Sequence, residues 1–533
     1  MLQNRLPLAS ALLCGFFILI QAAISMWIND GHFVYALDDA YIHLDLADQL
    51  GRTGIYGVNP GLYASPSSSI LWPFLLAPFA PLGLLPIIPL LIGLASTMLA
   101  GWLMPEFIHR ITGKTFSAAK TLTLSFLAVL GLDMPALALC GMEHVLHVAI
   151  ALLLALGVIR AMAGEPVRWW FWAAVFISPL LRYEGAFISA GALGVLFWLG
   201  RWRSTLLAGI LMLVPVALFS WFLLSHGMEI LPSSTIVKKL RWESVENPFW
   251  FFWIQSVMAI FINNSDMINT TGAMQLIGAF TGLTIVLVNW RSWRSANYAV
   301  GLAITGVLFG QIFLGRFSIW ETPRYEFYAM GFVVPLGLYA IRDRLMRPAL
   351  QGSLLVILTL SALPALWSSS IGIHGAIRAI YLQQYQMGRL ARDFFDGNVA
   401  VNDIGLPGYG NPHFVFDMVG LADPQARRAR FAGGPDWADK LIRQHNVPLI
   451  MIYRSWWKPE LRAHWTAVGE LFRATSSKLG DDSVIFYTPY PEQIPAIQAQ
   501  IRRWAETLPA GASYQEYSDQ HPAPPDPQPD AAP

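Results

Sequence analysis

Asp38 and Asp39 stand side by side a short way after the first long apolar run. Residues 28–68 hold Asp30, Asp38, Asp39, Asp45 and Asp48 against a single basic residue, Arg52. A carboxylate placed this way can take a proton from a hydroxyl. A helix over 38–50 brings Asp38, Ile42 and Asp45 to a related face, with Leu37, Leu44 and Leu50 left for burial, an amphipathic helix for a membrane surface. Acidic residues near a helix start also stabilise it by ~0.3–1 kcal/mol, so simple capping is the competing reading. Further groups of both signs follow. Glu143 and His144 sit at the mouth of an apolar run, and Arg182-Tyr183-Glu184 interrupts another. Charges inside such runs are costly and mark functional sites by default, or else a helix-holding ion pair of Arg182 with Glu184 or Glu143. Lys238, Lys239 and Arg324 add cations. They suit a phosphate group, or they are solvated and snorkelling side chains.

The elements that position these groups follow from composition. The chain has 533 residues, 55% hydrophobic and 13% charged, where soluble proteins carry roughly 25% charged residues. Mean hydropathy is +0.47. Residues 371–533 hold 32 of the 69 charged side chains. The chain therefore reads as a polytopic α-helical membrane protein, residues 1–370, with a C-terminal soluble α/β domain, 371–508, and a Pro-rich disordered tail, 509–533. About 11 spans are expected: 6–26, 82–104, 115–134, 143–163, 169–182, 184–200, 205–225, 272–290, 297–315, 325–341 and 349–369. The stretch 169–200 is short for two full spans. Segments 69–80 and 249–262 suit interfacial helices. Lys and Arg gather in alternate loops at 110–114, 160–168, 201–203, 291–294 and 342–347. By the positive-inside rule these loops are cytoplasmic, so the first loop, 28–68, and everything after 370 lie outside. Short strands are expected at 399–402, 413–418, 447–453 and 482–488, and helices at 375–396, 435–446 and 491–507. Gly405, Gly408 and Gly410 read as an ordinary strand–helix turn.

Net charge of +1 with no basic stretch argues against nucleic acid. Cys14 and Cys140 give neither a disulfide framework nor a metal spacing. Carboxylates and cations gathered at headgroup level fit one chemistry well. A lipid phosphate is held by Lys and Arg while a carboxylate deprotonates an acceptor hydroxyl.

Several further motifs form an ordered set: Asp38-Asp39-Ala40-Tyr41-Ile42, Gly57-Val58-Asn59-Pro60-Gly61, Ser65-Pro66 with Leu71-Trp72, Gly141-Met142-Glu143, Arg182-Tyr183-Glu184-Gly185, Leu231-Pro232-Ser233-Ser234-Thr235 with Lys238, Arg324-Tyr325, Asn402-Asp403-Ile404-Gly405 and Asp417–Asp423. The set resembles the membrane-embedded GT-C-type glycosyltransferases that use polyprenyl-phosphate sugars, and in pattern the branch that includes the mycobacterial terminal arabinofuranosyltransferases. Tyr183, Met142 and Ser233 depart from the pattern, which weakens any transfer of sugar specificity. The resemblance implies a GT-C-like fold and a multi-pass protein of the bacterial inner membrane with its active site facing the periplasm. It implies Asp38 as general base with Asp39 second, and Lys238 and Arg324 at the donor phosphate. Lys239, Arg182, Glu143, Glu184, His144 and Tyr41 complete the candidate substrate-binding set. Adjacent carboxylates beside a phosphate also suit a divalent cation (Mg, Mn or Ca) on Asp38 and Asp39.

The expected reaction moves a sugar, with arabinofuranose as one candidate, from a polyprenyl-phosphate donor to an envelope glycan, lipid or protein by a single inverting displacement. Membrane lipids surround it. The alternative is a polytopic transporter or a flippase for lipid-linked sugars, suggested by charges in spans and Gly/Pro-broken segments. A third reading is a non-catalytic assembly protein whose C-terminal domain binds a partner.

Overall fold

The computed structural model describes residues 5–237, 271–314, 324–345, 363, 365–434, 436–475 and 480–518. Lys238, Lys239 and the segment 249–262 lie outside the described residues, as does most of the expected span 349–369.

Apolar runs fold as the helices that their length and composition allow. They are α1 (Leu6–Ile28), α4 (Ile88–Thr112), α5 (Ala118–Gly131), α7 (His144–Met162), α8 (Trp169–Leu181), α9 (Gly185–Trp198), α10 (Trp202–Ser225), α11 (Thr271–Val288), α12 (Ala296–Leu314) and α13 (Phe327–Ala340). Three shorter helices intervene: α2 (Asp39–Thr53), α3 (Leu71–Leu76) and α6 (Met134–Leu139). Helix α7 is the centre of the bundle. It packs on α4, α8, α9 and α13, and its residues are nearly all buried. Helix α1 lies on α4 and α5, and α12 bridges α9, α11 and α13. The outer face of α10 exposes Leu206, Leu207, Ile210, Leu213, Leu218 and Trp221. A helix apolar on both its packed and its open face is suited to lipid, not to water.

Among the described residues, helices fall on ten of the eleven segments expected to span, and coincidence with a helix does not make a segment a span. Among the described residues four are long and apolar enough to cross a membrane: Leu6–Ile28, Leu85–Thr112, His144–Met162 and Trp202–Ser225. Helices α8 and α9 have 13 and 14 residues, about 20 Å each against a core of about 30 Å. They are separated at Arg182, whose backbone is extended.

The C-terminal part is a six-stranded mixed sheet in the order β2-β1-β3-β5-β4-β6. The strands are β1 (Val399–Val401), β2 (Val415–Asp417), β3 (Leu449–Ile452), β4 (Thr466–Arg473), β5 (Ser483–Thr488) and β6 (Ala512–Glu516). Strands β2, β1 and β3 run parallel, and β5, β4 and β6 extend the sheet antiparallel. The three parallel strands therefore end on one side. Two elements differ from expectation. Strand β4 was not foreseen, and β6 falls within the residues read as disordered tail. Tyr514 of β6 packs against Phe486 and Trp504, which anchors the strand to the sheet. The three-glycine segment is one helical turn, Gly405–Gly408, directly after β1.

Candidate active site

Helix α2 carries the two aspartates, but it is not a surface helix. Residues Ala40 to Ala47 are all buried, including His43 and Asp45. The helix packs against α3 and against the Gly405–Gly408 turn of the C-terminal domain, so polar positions that sequence reading gave to water are covered by protein. Burial, with Asp48 adding to it, pushes the Asp45 carboxyl well above the usual carboxylate range.

Asp38 occupies the residue before α2 but its side chain makes no capping bond to that helix. Instead its carboxylate accepts the Gly405 N–H at Oδ2 and the Leu406 N–H at Oδ1, both at 2.8 Å. Glycine is required at 405 by this approach. A Cβ there would lie 2.1 Å from the Asp38 carbonyl oxygen and 2.6 Å from Oδ2. Burial and the neighbouring Asp403 carboxylate push the Asp38 carboxyl well above the usual range, against the lowering effect of the two amides. Asp403 is itself raised, chiefly by burial. Its Oδ2 accepts the Tyr453 hydroxyl at 2.8 Å and the Gln384 amide at 3.2 Å.

Asp39 is turned the other way. Its carboxylate accepts from Arg324 at 2.9 Å and remains 40% exposed, while Arg324 is 7% exposed. Arg324 also donates to the Tyr325 hydroxyl at 3.1 Å. It lies over that ring at 5.1 Å, and Arg182 lies over the same ring at 4.8 Å. Arg182 sits in the α8–α9 turn and donates to Glu143 at 2.9 Å, to Ser68 at 3.1 Å and to Glu184 at 3.2 Å.

Glu143 is fully buried and ends a turn that needs Gly141 at φ +72°, where a Cβ would strike the Tyr35 ring at 2.6 Å. His43 Nε2 stands 4.0 Å from Glu143, and its Nδ1 shares a hydrogen bond with Ser67 at 3.1 Å. The His144 ring meets Tyr325 edge-on at 5.3 Å.

The fold thus brings together Asp38, Asp39, Glu143, His144, Arg182, Glu184 and Arg324 at one end of the bundle. Of the two readings for Arg182, the geometry is that of an ion-pair network. Tyr41 is 6% exposed, and its hydroxyl accepts the Tyr35 N–H at 3.0 Å. Both Asp38 oxygens accept amide hydrogens, and Asp39 pairs with the Arg324 guanidinium. Among the described residues no group of three His, Cys, Asp or Glu side chains could hold a metal ion.

Sequence reasoning gave no role to His43, Asp403, Tyr453 or Gln384. For Asp403 a signal existed, since it follows an expected strand. Ligands of open α/β sheets gather at the carboxyl ends of parallel strands.

Two further contacts seat the C-terminal domain on the first loop. The Asn59 amide donates to the Val415 carbonyl and accepts the Val415 N–H, both at 3.0 Å, and so covers the free edge of β2. Arg427 donates to Ser233 at 2.6 Å, and Ser233 N–H bonds the Ser65 carbonyl at 3.0 Å.

Residues 376–487 match a family model described as a domain of unknown function, DUF8728. No curated protein matches the chain.

Proposed function

We propose that the chain is a multi-pass glycosyltransferase of the bacterial inner membrane. In this reading it moves a sugar from a polyprenyl-phosphate donor to an envelope acceptor on the periplasmic face. The observation that carries the reading is the half-buried Asp38–Asp39 pair with the Arg324 guanidinium beside it, at one end of an apolar bundle and under a water-suited domain. Asp38 takes the acceptor hydroxyl proton. Each of its oxygens has a second lone pair beyond the one facing an amide, and a raised carboxyl is a stronger base. The acceptor oxygen bonds to the anomeric carbon as the bond from that carbon to the phosphate oxygen breaks. Arg324 meets the charge on the departing lipid phosphate, oriented for it by Asp39. The proton on Asp38 then passes to water.

The resemblance of the sequence motifs supports a GT-C-like arrangement of about eleven spans, with arabinofuranose one candidate for the sugar. A transporter is less well supported, because the charged side chains converge at one end of the bundle instead of its middle.

Linkage mass spectrometry of envelope glycans tests the reading. Deleting the gene removes one specific sugar residue. Wild-type chain restores it, and Asp38→Asn, present in the membrane at the same level, does not. An unchanged glycan profile in the deletion strain overturns the transfer reading. Restoration by Asp38→Asn overturns the role of Asp38.

A further inference from the structure

We propose that Asp403 is a positioning residue for the transfer step, acting through Asp38 from the C-terminal domain; the proposal rests on the glycosyl-transfer reading above. The parallel strands β2, β1 and β3 end on one side of the sheet, and the chain leaving β1 meets Asp38. Residues 403–406 form one short segment in which Asp403 presents its carboxylate and Gly405 and Leu406 present their N–H groups. Both amides are spent on Asp38, at 2.8 Å each. The Asp403 carboxylate is itself aimed from two separate elements. Tyr453 follows β3 and donates at 2.8 Å, and Gln384 opens the short helix Gln384–Arg389 ahead of β1 and donates at 3.2 Å. Gln384 also donates to the Tyr453 hydroxyl at 2.7 Å, which closes the triangle.

This is more scaffolding than a domain–domain contact needs. Asn59 and Arg427 already tie the C-terminal domain to the first loop and to Ser233, without placing a carboxylate beside a carboxylate. Two acidic groups kept close repel when both are charged, and proteins retain such pairs where the repulsion tunes a proton-taking group. The groups facing Asp38 are Asp39 beside it in the chain, Asp403 and Tyr453 from the C-terminal domain, and Tyr41 from the first turn of α2. Of these, Asp403 is the charged group contributed by the other domain. The C-terminal domain then completes the site instead of merely covering it.

The test uses the full chain in lipid nanodiscs with a radiolabelled polyprenyl-phosphate sugar as donor and envelope glycan as acceptor. Asp403→Asn lowers kcat by about tenfold to a hundredfold with donor KM unchanged, and Asp403→Glu restores most of it. An unchanged kcat, or a loss confined to KM, overturns the proposal. Should Asp403→Asn fail to fold, Tyr453→Phe removes one aiming donor and keeps the charge. A kcat reduced several-fold supports the proposal, and an unchanged kcat overturns it. Amide hydrogen exchange separates this inference from the function it rests on. In Asp38→Ala, which removes both acceptor oxygens, the Gly405 and Leu406 amides lose protection whether or not the wild-type chain transfers sugar. Unchanged protection overturns the contact itself, while absence of transfer by the wild-type chain overturns the transfer reading.

Discussion

Two guanidiniums share the Tyr325 ring, and their surroundings differ. Arg182 is 4% exposed and is shut between Glu143, at 0%, and Glu184, at 17%. Arg324 is nearly as buried, at 7%, but its partner Asp39 is 40% exposed. The residue types are the same in both. A fully enclosed network offers a substrate nothing to reach, and its charges are retained because each is paired where water is absent. A pair with one open carboxylate can exchange its partner for a ligand phosphate. The contrast teaches that charge scarcity in the bundle marks a region, and that exposure of the partner distinguishes an enclosed pair from an open one within it.

The largest effect expected from breaking this contrast is on the enclosed side. Arg182→Ala leaves Glu143 and Glu184 buried without their cation. Removing one partner of a buried pair costs about 3–5 kcal/mol. Thermal unfolding in detergent should show a marked loss of stability and a lower level in the membrane. A variant as stable as wild type would mean that water reaches Glu143, and the distinction between the two clusters would fall.

The bundle helices are legible because long apolar runs have few alternatives. The site is partly legible for a related reason: Asp38, Arg182 and Arg324 stand out against an apolar background. What each charge touches is not legible. The contact between Asp38 and Gly405 joins positions 367 residues apart, and no local periodicity encodes it. The local pattern instead suggested that Asp38 caps α2, and no such bond forms. The polar face of α2 was read as solvated because nothing in 38–50 announces that a second domain will cover it. Strand β4 was missed because Gly469 and Glu470 break its alternation, although Glu470 is buried and takes the Ser483 and Tyr517 hydroxyls. Strand β6 has a half-exposed, polar sequence beside a Pro-rich tail and pairs along only one edge, with β4.

On the open side the prediction reverses the readout. Arg324→Ala leaves Asp39 partly exposed, where water can hydrate it, so folding should suffer much less than in Arg182→Ala. Transfer should fall about 10²–10³-fold, the scale of losing one donor to a developing negative charge. Single-turnover transfer in nanodiscs, measured beside the unfolding temperature of both arginine variants, gives the comparison. Equal stability losses with equal activity losses would mean that both arginines are structural and that the site lies elsewhere.

The smallest expected effect concerns how firmly the C-terminal domain is held over the open pair. Asn59 makes two hydrogen bonds to one residue of the β2 edge. Asn59→Ala removes both and leaves the Val415 N–H and carbonyl without their side-chain partner, a cost of about 1–3 kcal/mol for a buried polar group. Because the loss is at the seam between first loop and sheet, it should appear as faster amide exchange at Val415 and, through the looser seam, at Gly405 and Leu406. The Arg182 network lies on the bundle side of α2 and should keep its protection. If exchange rises equally in both regions, the seam and the bundle open as one unit and the open pair has no independent mobility. If it rises at the seam alone, the C-terminal domain can move over Asp38 and Asp39 while the enclosed cluster stays fixed.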